Sequence, residues 1–88
     1  MTHNTMASVL RMLICSHLKI KRVSEYDEFN LEYENRLYVL ADIFAAKGIL
    51  ELERIWLSDK RKVVLDYFFG KITLEKLWDG IIWGGLGK

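Results

Sequence analysis

Proline is absent from the 88 residues, glycine does not occur before Gly48, and cysteine occurs once, at Cys15. Without proline, nothing in the chain forbids long helices. A single cysteine excludes an internal disulfide framework and a cysteine-rich zinc cluster, and it fits a reducing, cytoplasmic setting. Net charge is nearly absent too: +1 sets the chain apart from strongly basic nucleic-acid binders. No apolar run approaches the ~20 residues that a helix needs to cross a bilayer. The segment Met6 to Arg22 has the apolar stretch of a secretory signal, but Arg11 interrupts it and the basic residues follow the stretch instead of preceding it. A lipoprotein signal is opposed by Ile14, which is too large for the position before Cys15.

What is present is apolar and evenly spread. Half of the residues are hydrophobic, which is enough for a packed core and too much for a disordered chain. The expected architecture is all-α: a compact bundle of four or five helices in a single domain over 1–88, with 84–88 as a flexible C-terminal tail. A first helix is expected over Thr5 to Ile20, capped by Asn4 or Thr5. Met6, Val9, Leu10, Leu13, His17 and Ile20 would line its apolar face, with Arg11, Cys15 and Arg22 opposite. Ser24 and Asp27 can open a second helix, in which Tyr26, Phe29, Tyr33, Leu37, Leu40 and Phe44 hold helical spacing to a stop at Gly48. Residues 49–69 read either as one helix or as two; a break at Ser58 is preferred. Gly70 then ends the segment. Thr73 caps a last helix with Leu74, Leu77, Trp78 and Ile81 on one face.

Charge is segregated along the chain. Residues 1–24 carry four basic side chains and no acid, residues 25–53 carry eight acids against two bases, and residues 54–88 carry seven bases against four acids. Lys19, Lys21 and Arg22 close the first helix, and Glu25, Asp27 and Glu28 open the second. Both placements suit the helix macrodipole, so a local reason suffices for the basic cluster. Glu25, Glu28 and Glu32 share a face at metal-ligand spacing, but no other helix supplies the histidines or acids that such a site needs. His17 and Cys15 are two residues apart and project differently, so they cannot pair as base and nucleophile. There is no Ser–His–Asp pattern, no phosphate loop and no metal spacing. The residues therefore point to no catalytic, cofactor or metal site.

The segment Leu57 to Leu77, LSDKRKVVLDYFFGKITLEKL, carries a more specific pattern: a capped basic helix, an aromatic–glycine corner, and Thr-Leu-Glu opening the next helix. Leu57, Val64, Phe69, Gly70, Thr73, Leu74 and Glu75 occupy these places, and the segment resembles the start of a sigma-factor region 4 helix-turn-helix. That resemblance covers about a quarter of the chain and implies DNA binding. The sequence departs from the pattern where a small residue would let the reading helix pack. Lys76, Leu77 and Trp78 stand there instead, and IIWGGLGK cannot build a helix that enters the major groove. No DNA-contacting residues carry over.

The reading that remains is a small non-enzymatic protein–protein interaction or regulatory module, an adaptor, inhibitor or regulatory subunit. It would bind another protein or a second copy of itself as a homodimer. Leu31, Tyr38 and Ala45 recur every seven residues away from the main stripe of helix two, as a second packing surface would require. On the last helix Trp83 points away from the core face, with Ile82 on its shoulder and Leu86 beyond. The expected partner-binding residues are thus Leu31, Tyr38, Ile82, Trp83 and Leu86. One alternative is a nucleic-acid-binding regulator that uses Lys19, Lys21 and Arg22, or Lys60, Arg61 and Lys62. Another is a membrane-surface protein anchored by its C-terminal stub.

Overall fold

A computed structural model describes residues 2–20 and 31–83, the side chains of Ile82 and Trp83 excepted. The described residues are all-α and contain no strand. Five α-helices follow in order: α1 His3–Leu18, α2 Leu31–Lys47, α3 Ile49–Trp56, α4 Arg61–Phe68 and α5 Leu74–Trp78. A π-helical turn, Asp79–Trp83, continues α5. The chain divides into two compact units, Met1–Ile49 and Leu50–Lys88.

In the first unit, α1 begins two residues earlier than its sequence suggests. Thr2, not Asn4 or Thr5, is the N-cap. Its backbone is extended, and its hydroxyl accepts from the Thr5 amide at 3.2 Å. That bond satisfies one of the orphan amides of a helix start. The helix ends at Lys19, a non-glycine residue held in the left-handed region (φ 60°). The Ile20 amide returns to the Cys15 carbonyl at 3.0 Å and the Lys19 amide to the Ser16 carbonyl at 3.3 Å, so these two carbonyls of the wrapped terminus are satisfied.

The buried face of α1 is rotated from the expected one. Met6, Ala7, Leu10, Ile14 and Cys15 are buried, whereas His17 is exposed and Val9 and Leu13 are only half-buried. Cys15, expected opposite the apolar stripe, therefore belongs to the core. On α2, Leu37, Leu40, Ala41 and Phe44 are buried, in agreement with the aromatic–leucine stripe. Each fully buried large side chain contributes about 1.5–3 kcal/mol of transfer free energy. Gly48 ends α2 with φ 100° and its amide bonded to the Phe44 carbonyl at 2.8 Å, a conformation that strains any residue with a Cβ. The expected start of this helix, Ser24 to Phe29, lies outside the described residues, as do Lys21, Arg22, Glu25 and Glu28.

In the second unit the chain does break at Ser58. The Ser58 hydroxyl donates to the Ile55 carbonyl at 2.8 Å and accepts from the Lys60 amide at 3.1 Å. These bonds divert the backbone between α3 and α4. Leu52, Ile55 and Trp56 of α3 are buried, as are Val64, Leu65, Tyr67 and Phe68 of α4. Gly70, at φ 77°, turns the corner. Thr73 then caps α5, its hydroxyl accepting from the Lys76 amide at 3.2 Å.

On α5 only Leu77 is buried, with Ile81 following it in the π-turn. Leu74 and Trp78, expected on the core face, are 47% and 44% exposed. Within α5 it is Leu77 that faces inward, and the wider winding of the π-turn brings Ile81 round to the same side as Leu77. Gly80 makes this close approach feasible: a Cβ there would lie 2.7 Å from Val63 Cγ1 of α4.

Candidate interaction surfaces

The first unit carries a polar seam along α1 and α2. His3 Nδ1 pairs with Asp42 Oδ1, and Arg11 lies 3.9 Å from Glu34. The equal steps between these pairs, forward on α1 and backward on α2, mean that the helices run antiparallel. Tyr38 stands between them. Its hydroxyl accepts from Arg11 Nη2 at 2.9 Å and donates to Glu34 Oε1 at 3.3 Å. The Arg11 guanidinium also lies 5.4 Å from the Tyr38 ring centroid, and the His3 ring stacks on Tyr38 at 5.4 Å. Tyr38 is thus engaged inside the unit. Along the row Leu31–Tyr38–Ala45, Leu31 is 71% exposed and Tyr38 and Ala45 are half-buried.

The second unit places a different pair in solvent. Leu50 and Leu57 are 77% and 79% exposed. Seven residues amount to two turns of helix less about 20°, so the two leucines stand in line. Leu57 follows the last residue of α3 but keeps the helical bond from its amide to the Glu53 carbonyl, at 3.1 Å. The buried residues Leu52, Ile55 and Trp56 occupy the opposite side of α3. Apolar periodicity alone does not separate these two faces, because leucine, isoleucine and tryptophan occur around most of the helix. The signal that was available is the pair of leucines seven apart, out of phase with Leu52 and Ile55.

Charged residues frame this leucine row. Glu51 receives the Arg54 fork, Nε at 3.0 Å and Nη2 at 2.5 Å. The hydrogen bond from Glu51 first, and its charge second, push the Arg54 guanidinium further up from its ordinary value. Farther on, Arg61 and Lys62 are exposed and Lys60 is half-buried. Lys62 pairs with Asp66 at 3.7 Å, which offsets part of that basic cluster. The amides of Arg61, Lys62 and Val63 are already bonded to the carbonyls of Ser58, Asp59 and Lys60. The start of α4 therefore offers no free nest for a phosphate.

The chain matches no known family model, no curated protein and no solved structure.

Lys19 is exposed, at the left-handed end of α1. Ile82 and Trp83 have backbone positions in the π-turn, while their side chains and the whole of Leu86 lie outside the described residues, together with the tail 84–88. Among the described residues no group of three or more His, Cys, Asp or Glu is placed to hold a metal ion, and no helix is long and apolar enough to cross a membrane. Helix–corner–helix geometry does form over α4 and α5, which are in contact. Within it α5 is a single short helix that passes into the π-turn.

Proposed function

We propose that the protein is a non-enzymatic interaction module that binds a protein partner through apolar side chains held outside its core. The observation that carries this reading is the exposed Leu50–Leu57 row on the face of α3 opposite Leu52, Ile55 and Trp56. Single exposed leucines are ordinary on protein surfaces. Two that line up on a helix already packed by its other face are not needed for that packing. Exposed Leu74 and Trp78 on α5 add an aromatic side chain of the kind that anchors interfaces. These residues replace Tyr38 as the favoured contact surface, because Tyr38 is occupied by Arg11, Glu34 and His3.

The test compares proteins recovered from native cells by the full chain and by its Leu50→Ser, Leu57→Ser variant. The reading expects a partner that binds the first, is lost with the second and holds through rising salt. Nucleic acid recovered by both forms and released steeply as salt rises would favour the basic residues Lys60, Arg61 and Lys62 instead, through counterion release. Retention of every partner by the variant would refute the role of the row.

A further inference from the structure

We infer that the α3 leucine row pairs with a second copy of the chain, and that the two α3 helices lie parallel. This inference rests on the reading of the row as a binding face and names its occupant. At about 100° per residue, Glu53 stands about 60° to one side of Leu50, and Arg54 about 40° to the other. Opposite charges therefore flank the row. When two parallel helices are related by a twofold axis along them, unlike flanks meet. Glu53 of each copy then faces Arg54 of the other, while Leu50 packs on Leu50 and Leu57 on Leu57. In an antiparallel pair like flanks meet, which brings Glu53 onto Glu53 and Arg54 onto Arg54. The charge pattern selects the parallel form.

Both charged groups are suited to that contact. Glu53 is exposed, and its carboxylate has no hydrogen bond or ion pair among the described residues. Arg54 is already oriented by Glu51, which takes Nε and Nη2. A guanidinium has five N–H donors in a fixed fork, so Nη1 and the outer hydrogens stay available for a second carboxylate. The result is a chain Glu51–Arg54–Glu53 that crosses the interface on both sides of the leucines. The size of the contact sets its strength. Four leucine side chains fall well short of the ~1,200 Å² that stable interfaces bury, so the dimer belongs to the weak, concentration-dependent class.

Sedimentation velocity on the full chain between about 10 μM and about 1 mM spans the affinities expected of such a contact. The wild-type mass should rise toward two copies. Leu50→Ser with Leu57→Ser, checked for retained helicity, should weaken the dimer at least ~10-fold. Glu53→Arg and Arg54→Glu should each weaken it, and the two together should recover most of the loss, since the swapped pair still matches. Orientation is read in a Cys15→Ala background. Leu50→Cys should form a disulfide with another Leu50→Cys chain under mild oxidation. Cross-linking of Leu50→Cys only to Leu57→Cys would overturn the parallel pairing. A wild-type chain that stays monomeric, or single charge reversals without effect, would overturn self-pairing. In that event the two readings part: a monomer whose serine variant still loses a captured partner keeps the binding face, whereas a monomer whose serine variant loses nothing removes both.

Discussion

Arg11 Nη2 lies 2.9 Å from the Tyr38 hydroxyl and donates to it across the antiparallel pair α1 and α2. The same hydroxyl donates onward to Glu34, so one phenol ties a cation and a carboxylate together. Tyr38→Phe removes both bonds and keeps the ring that stacks with His3. The expected loss is about 1–3 kcal/mol of stability, since two part-buried bonds to charged groups go together. Tyr38→Ala should cost more, because the ring goes too. Urea unfolding of the two variants checks the order. Equal losses would mean that the hydroxyl carries the whole effect and the ring none.

Cys15 is 8% exposed and sits with the buried face of α1. A thiol reagent should label it far more slowly in the native protein than in urea, with the rate following the opening of the fold. Labelling of the native chain at the rate of a free peptide would return Cys15 to the surface.

Gly80→Ala places a Cβ 2.7 Å from Val63 Cγ1. Valine on a helix has essentially one side-chain rotamer, so it cannot swing away. The gain in helix propensity, about 1 kcal/mol, is outweighed by overpacking of about 1–3 kcal/mol. The net effect should be destabilising, and Val63→Ala in the same chain should relieve it. A double-mutant cycle of thermal or urea unfolding measures the coupling. Additive effects would show that the close approach carries no strain.

Leu77 is fully buried and Trp78 nearly half exposed. Leu77→Ala should therefore destabilise by about 2–5 kcal/mol, as buried leucine truncations do, and Trp78→Ala by clearly less despite the larger side chain. The reverse order in equilibrium unfolding would place the core on the other flank of α5.

Much of the fold is legible in the sequence, and the misses have physical causes. Gly48, Ser58, Gly70 and Thr73 punctuate the chain where the helices stop and start, because turn and cap chemistry is local. The buried stripe Leu37–Leu40–Phe44 follows from spacing alone. The face of α1 does not, since Val9, Leu10, Met12, Leu13, Ile14 and Cys15 surround most of the helix. Its rotation agrees with tertiary partners: His3 and Arg11 reach Asp42, Tyr38 and Glu34 on α2, contacts that spacing cannot reveal. Spacing groups Ile81 with Leu74 and Trp78, whereas the π-turn from Asp79 changes the period and sets Ile81 beside Leu77. The α3 row escapes spacing for the same reason as the α1 face, since apolar residues occur around most of α3 and Leu50 and Leu57 do not stand apart from Leu52, Ile55 and Trp56.

Leu50 and Leu57 stand outside the packed fold, at 77% and 79% exposure. Urea unfolding at low protein concentration, followed by tryptophan fluorescence, tests this directly on Leu50→Ser with Leu57→Ser, and on Leu52→Ala as a reference for the buried face. The two serines should shift stability by no more than about 0.5 kcal/mol each, as surface changes do, while Leu52→Ala should cost about 2–5 kcal/mol. A serine variant that loses as much stability as Leu52→Ala would show that the leucine row is core, and would contradict its assignment as a binding face.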